Sequence, residues 1–225
     1  KHHFESNKNI TKMKVPFNDL KAQWDLVKDS CMDDFNNLFS KSNFILGDSV
    51  KEFEEDFADF VGCKYAVGVS NGTDALKLSA QALDLKGTTA FIIPSNTFVA
   101  TLMGIEQAYP DASFRLVDCD DYHQMDVDLL HKTVREMQNY DNVVIVPVHL
   151  YGYTCNMNVI MKIAKKFSCL VLEDSSQAHG AYHENSMVGS YGKASAFSLY
   201  PGKNLGAAGD AGIVTTSDKK IYDRL

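Results

Sequence analysis

At 225 residues, with 45% hydrophobic and 23% charged side chains, the chain is long enough to bury a sizeable core and has the balance of an ordinary globular protein. A formal net charge of −7 argues against a nucleic-acid surface, which needs clustered Lys and Arg, but leaves room for a small anion held by backbone N–H groups. No apolar run approaches the roughly 20 residues that cross a bilayer, and the polar opening KHHFESNKNITK lacks the apolar core of a secretory signal, so no membrane partner is expected and the cytosol is the expected address.

Residues 1–14 read as a polar tail, and the His2–His3 pair within it is not expected to be a ligand set. From Leu20, the apolar positions Leu20, Trp24, Val27, Cys31, Phe35 and Leu38 recur at helical spacing and predict an amphipathic helix. Ser49 with Glu52 three residues on predicts a capping box at the head of a second helix, whose stripe is Val50, Phe53, Phe57 and Phe60. Together these form an N-terminal helical segment over 15–61. Beyond Gly62 the pattern alternates: strands at 65–69, 90–93, 114–117, 143–148, 170–172 and 194–197, helices at 73–85, 98–109, 127–137 and 159–167. Short Val/Ile/Leu runs separated by helices predict an α/β domain over 62–225 with a mainly parallel sheet covered on both faces. Five cysteines without a C-x-x-C pair indicate neither a zinc site nor a disulfide framework, and are read as reduced, mostly core residues.

In such sheets ligands bind beyond the carboxyl ends of strands, and four strand ends carry candidates. After the first strand come Ser70-Asn71-Gly72-Thr73-Asp74, where Gly72 permits close approach and the open N–H groups of a helix start, with the Thr73 hydroxyl, can hold a phosphate; a plain N-cap is the alternative. The Gly68-x-x-x-Gly72 spacing is not G-x-G-x-x-G, which counts against a nicotinamide or flavin site. Phe98, at the next strand-to-helix junction, can stack on a planar ring or simply join the core. The apolar run Leu170–Leu172 ends in Glu173-Asp174, placing a carboxylate at the sheet mouth where it seeks a cationic partner such as a protonated pyridine nitrogen; Asp174 as a cap and Gln177 as a solvated side chain are the alternatives. His179 and His183 are four apart, but Gly180 interrupts any helix and no further ligand completes a metal site. Lys203 follows a strand and a Pro201-Gly202 turn, bracketed by Tyr200, Pro201 and Leu205, which partly desolvate it; desolvation lowers a lysine's pKa and frees the amine as a nucleophile, although a surface lysine in a Gly-rich turn has the same signature. A phosphate cradle, an aromatic face, a carboxylate and a nucleophilic lysine are together what pyridoxal phosphate requires.

The motifs Phe44-Ile45-Leu46-Gly47, Asn71-Gly72-Thr73-Asp74-Ala75-Leu76, Asn96 to Thr101, Val148-His149-Leu150-Tyr151-Gly152, Glu173 to Ala181 and Phe197 to Gly206 occur in the order of a known family. On them the chain resembles the DegT/DnrJ/EryC1/StrS sugar aminotransferases of aspartate-aminotransferase-like type I fold. The resemblance implies a three-layer α/β/α large domain, truncated here before a smaller C-terminal domain, and a homodimer in which the neighbouring subunit supplies a phosphate-contacting asparagine. It also implies site roles: Lys203 as the Schiff-base lysine, Asp174 paired with the pyridine nitrogen, Gln177 on the ring's phenolic oxygen, Gly72, Thr73 and Ser198 on the phosphate, and Phe98 stacked on the ring. Relatives with histidine in place of the lysine are dehydratases; Lys203 favours transamination, from glutamate to a nucleotide-linked keto-deoxysugar. The loop Asn204 to Gly212 is closer to enzymes acting at C3 of dTDP-3-keto-6-deoxyhexoses than to the C4 branch. A 4-keto-sugar aminotransferase, a non-catalytic binding or regulatory protein of the same fold, and a nucleotide-binding oxidoreductase are the competing readings.

Overall fold

The computed structural model describes residues 15–225; the tail 1–14, with its His2–His3 pair, lies outside the described residues. The chain divides into two units, one ending at Ser42 and the other running from Asn43 to Leu225.

The first unit contains α1, Leu20–Lys41. Asp19 caps it by accepting the Ala22 N–H at 3.0 Å, and Ser42 ends it in the left-handed region at φ 51°. Leu20, Trp24, Val27 and Phe35 recur at the predicted spacing, and none of the residues of α1 is buried.

The second unit opens with α2, Asp48–Val61. The expected capping box does not form. The helix starts at Asp48, so Ser49 already lies inside the first turn, and the cap is Gly47, which has no side chain to accept an N–H. Gly62, at φ 82°, ends the helix with its N–H on the carbonyls of Ala58 and Asp59. There follow β1 (Tyr65–Val69), α3 (Gly72–Ala82), β2 (Thr89–Pro94), α4 (Val99–Ala108), β3 (Ser113–Val117), α5 (Val127–Glu136) and β4 (Asn142–Ile145). A 3₁₀ turn at Leu150–Gly152 leads to α6 (Met157–Phe167) and β5 (Leu170–Asp174). A small hairpin, β6 (Tyr182–His183) with β7 (Ser186–Met187), precedes β8 (Ala194–Ser198), β9 (Gly212–Thr216) and α7 (Lys219–Tyr222).

Seven strands form one sheet in the order β1-β9-β8-β5-β4-β2-β3. Pairings from β8 to β3 are parallel, and β9 alone runs against its neighbours β1 and β8. The sheet is therefore mainly parallel, as the alternation of strand and helix predicts. The ladder of β4 stops earlier than the apolar run 143–148: Val146 still donates to Ile92, but Pro147 has no N–H to give.

Side-chain alternation sorts the core into two faces. Ala90, Ile92, Val143, Ile145 and Val171 pack with Leu130 and Val134 of α5 and Ile160 and Ile163 of α6. Their strand neighbours Phe91, Ile93, Val144 and Leu172 pack with Ala75, Leu76, Ala80 and Ile105 of α3 and α4. On the first of these faces, toward β1, β9 and β8, Ala66, Ile213 and Phe197 pack with Phe57, Ala58 and Val61, so α2 belongs with the sheet rather than with α1. This is a three-layer α/β/α arrangement. Large side chains such as Phe91, Ile92 and Phe197 are 0% exposed, which contributes about 1.5–3 kcal/mol for each.

Three of the five cysteines join the core: Cys155 within it, and Cys63 and Cys169 packed against its edge. All five are free, but only Cys155 is buried. Cys31 and Cys119 lie outside the core clusters and are half covered.

Candidate active site

The carboxyl ends of β1, β2, β5 and β8 open onto one cleft of about 570 Å³. Gly72, Thr73, Phe98, Asp174, Gln177, Ser198 and Lys203, the seven residues singled out from the sequence, all line it. They come from four separate chain segments, and only the parallel winding of the sheet brings those strand ends side by side.

At the floor, β1 turns straight into α3. Asn71 caps the helix, and its Oδ1 takes the Asp74 N–H at 2.8 Å. The first N–H groups of a helix have no carbonyl four residues behind them, so those of Gly72 and Thr73 are open toward the cleft. A glycine is required at 72: a Cβ there would sit 2.6 Å from Ser198 Cβ and 3.0 Å from its Oγ. The closeness joins the end of β8 to the head of α3, and the Ser198 hydroxyl lies beside the open N–H groups as a further donor.

Asp174 is the last residue of β5 and is 5% exposed. Its Oδ2 accepts from the Thr101 hydroxyl at 2.7 Å and its Oδ1 from the Ser176 N–H at 3.1 Å. Its neighbour Glu173 points to the opposite face, as strand alternation requires. There it is fully buried and accepts from the N–H groups of Gly189, Tyr191 and Gly192 at 2.8, 2.9 and 2.7 Å, and from His149 Nε2 at 3.2 Å. Burial disfavours a charged His149 while Cys155 and Glu173 pull its pKa upward. The Cys155 N–H decides the form, because it points at Nδ1 from 3.1 Å and needs a lone pair there; the proton sits on Nε2, facing Glu173.

Gln177 is oriented by the same logic. Its Oε1 accepts the Tyr151 N–H at 2.7 Å, so the amide NH₂ is its free end, a donor. The turn that presents this N–H is held in the left-handed region at Tyr151 (φ 55°) and Gly152 (φ 78°). Phe98, the N-cap residue of α4, is 67% exposed at the cleft wall and is not part of the core.

Lys203 stands in the turn after β8, its N–H on the Tyr200 carbonyl at 2.8 Å. It is half-buried, and desolvation lowers its pKa while the charge of Asp174 across the cleft opposes the shift. His179 lies nearby, packed against the Phe197 ring at 5.3 Å and edge-on to Phe57 at 6.5 Å. Neither ring nitrogen has a hydrogen-bond partner of good geometry among the described residues. Burial and the Lys203 charge depress its pKa to about 4, with the Ser198 backbone pulling weakly the other way. Among the described residues no group of three or more His, Cys, Asp or Glu comes together in a way that could hold a metal ion.

Thr101, Thr97, Leu150, Gln107, Tyr200 and Asp210 also touch the cleft or its carboxylate; apart from Tyr200, read as desolvating Lys203, none is given a site role by the sequence reading. Thr97 precedes the N-cap of α4 and Thr101 lies in its first turn, so only the folded chain brings the two hydroxyls together.

A lysine, a carboxylate and a helix N-terminus meet around one cleft at the carboxyl end of the parallel sheet of an α/β protein. More specifically, the chain belongs to the DegT/DnrJ/EryC1/StrS aminotransferase family, whose family model matches residues 26–225. It is 40% identical over 211 residues to the dTDP-3-amino-3,6-dideoxy-alpha-D-galactopyranose transaminase of Aneurinibacillus thermoaerophilus, covering 94% of this chain and 57% of that protein. It is 35% identical over 212 residues to the UDP-N-acetyl-3-dehydro-alpha-D-glucosamine 3-aminotransferase of Acidithiobacillus ferrooxidans, covering 94% and 56%. Among solved structures, S. venezuelae DesV in complex with a ketimine intermediate superposes with a TM-score of 0.86 at 32% identity, over 94% of this chain and 56% of that one. The chain thus spans about half the length of the curated relatives it matches.

Proposed function

We propose that the cleft binds pyridoxal 5'-phosphate and that the protein transfers an amino group from glutamate to C3 of a nucleotide-linked keto-deoxysugar. The observation that carries this reading is the polarity of the cleft. Asp174 is held as an acceptor by two donors, Gln177 is held as a donor by Tyr151, and the two lie three residues apart along one wall. A 3-hydroxypyridine with a protonated nitrogen and an ionised oxygen presents the complementary pair. The Gly72 and Thr73 N–H groups and the Ser198 hydroxyl would hold its phosphate, and Phe98 would cover its ring. The residues present fit the group.

When bound, the cofactor supplies a carbonyl that condenses with amines and a ring that delocalises carbanion charge. The chain's own part is positional and acid–base. Asp174 keeps a cation opposite it, and Lys203, as a half-buried amine with a lowered pKa, takes the proton from the α-carbon of the amino donor at Nζ and later returns one. General acid–base steps of this kind are worth roughly 10² to 10⁴ in rate. Two relatives named for 3-amino or 3-aminotransferase chemistry support C3 over C4. The proposal includes residues 62–225 as the cofactor-binding domain, a homodimeric assembly and a cytosolic location.

Adding pyridoxal phosphate to the protein should give an absorbance band near the visible edge that borohydride removes and Lys203→Ala abolishes. Incubation with glutamate and a panel of keto-sugar nucleotides, followed by mass spectrometry, should give an amino sugar. A band unchanged in Lys203→Ala would refute the assignment of the lysine, and no amino sugar from any 3-keto substrate would refute the substrate class.

A further inference from the structure

Resting on the cofactor reading above, we propose that Thr101, backed by Thr97, is a positioning residue that fixes Asp174 as an ionised, acceptor-only group facing the cleft. Thr101 is 1% exposed, and its Oγ1 lies 2.7 Å from two oxygens: Asp174 Oδ2 and Thr97 Oγ1. A hydroxyl has one proton. An ionised carboxylate can only accept, so the Thr101 proton goes to Asp174, and the contact between the threonines is then made by the proton of Thr97. The result is a directed chain, Thr97 to Thr101 to Asp174, in which each bond polarises the next.

The second oxygen of Asp174 receives the Ser176 N–H, which has no alternative direction. A proton on Asp174 would leave it a weaker acceptor for both of these bonds. Of the charged and titratable groups near the carboxylate, Asp74 and Asp210 line the same cleft as further anions, and the others favour the ionised form or are neutral to it. Lys203, from the turn after β8, favours the anion through its charge. His149 meets Asp174 only through its main-chain N–H at 3.1 Å, and its ring is spent on Glu173 on the far face. His179, five residues on, is neutral at physiological pH. The helix α4 brings no charge of its own to the carboxylate, only these hydroxyls.

The two threonines flank the N-cap Phe98 of α4, on the same wall of the cleft. The segment that places an aromatic face in the cleft therefore also sets the charge state of the acid opposite. A ring nitrogen held by Asp174 should stay protonated only as firmly as the carboxylate stays ionised. A hydrogen bond to a carboxylate lowers its basicity, so loss of the Thr101 hydroxyl should leave Asp174 drawing the shared proton away from the ring nitrogen, with the pair releasing that proton at higher pH.

The test uses the protein loaded with pyridoxal phosphate carrying ¹⁵N in the ring, with the nitrogen resonance followed from neutral to alkaline pH. Thr101→Val is expected to move the neutral-pH nitrogen resonance toward that of an unprotonated pyridine and the alkaline titration to higher pH, Thr101→Ser to restore the native behaviour, and Thr97→Val to shift it the same way by less. Thermal midpoints recorded on the same samples separate this effect from simple loss of packing. A native titration in Thr101→Val, or equal shifts in the Val and Ser variants, would overturn the role of the hydroxyl. Should Thr101→Val not fold, Thr97→Val decides alone, a native titration in it overturning the directed chain. Native protein that binds no pyridoxal phosphate would instead sink the cofactor reading on which this one stands.

Discussion

His149 and Glu173 meet at 3.2 Å, Nε2 to Oε2, with both side chains fully buried. The pair ties the turn after β4 to the strand that ends in Asp174, and the three N–H groups of residues 189–192 tie the approach to β8 to the same carboxylate. Leaving buried donors without their acceptor costs about 1–3 kcal/mol. Glu173→Gln, which turns an NH₂ toward these donors, should lower the denaturant midpoint by an amount in that range. His149→Gln, which retains a donor for Glu173, should lose clearly less.

Gly72 is where the phosphate proposal is sharpest. Alanine at 72 would collide with Ser198 Cβ at 2.6 Å and push the head of α3 away from the end of β8. We expect Gly72→Ala to weaken pyridoxal phosphate binding at least about tenfold, or 1.4 kcal/mol, in a spectroscopic titration. Ser198→Ala removes one hydroxyl without moving the backbone, and should weaken binding only several-fold.

Phe98 is 67% exposed, so its truncation should leave the unfolding midpoint within about 0.5 kcal/mol of native. An aromatic pair is worth about 0.5–1.5 kcal/mol beyond burial, so Phe98→Ala should cost about tenfold or less in cofactor affinity while Phe98→Tyr retains it. Equal affinity in the Ala variant would remove Phe98 from the ring site.

His179 makes stability depend on pH. Its pKa falls from 6.5 to about 4 on folding, through burial first and the Lys203 charge second, so between these values the unfolded chain binds the extra proton. Stability is complete above pH 6.5 and declines as the pH drops toward 4, by up to about 3 kcal/mol. His179→Phe, an apolar ring among Phe57 and Phe197, should flatten this acid limb in denaturant melts recorded across that window.

The parallel sheet was legible in the sequence because its strands are buried on both faces and show as short Val/Ile/Leu runs between amphipathic helices. That seven residues from four segments would line one cleft was legible because they stand at strand ends, and the family motifs carry them. The strand Gly212–Thr216 was not, since five residues after a glycine-rich loop bear no period that separates strand from coil; the β8–β9 pairing that defines it is made across that loop. Nor was the capping of α2, because Ser49 and Glu52 fit a capping box equally well one residue out of register.

By itself, then, the sequence determined which groups can do chemistry and the order in which they are strung. Local residue type and spacing are enough for that. Only the tertiary structure decided polarity: that Asp174 accepts from Thr101, that Tyr151 turns Gln177 into a donor, and that Glu173 faces away from the cleft toward His149. A hydrogen bond's direction depends on which atom of a distant residue stands opposite, and these partners lie 73, 26 and 24 residues apart along the chain.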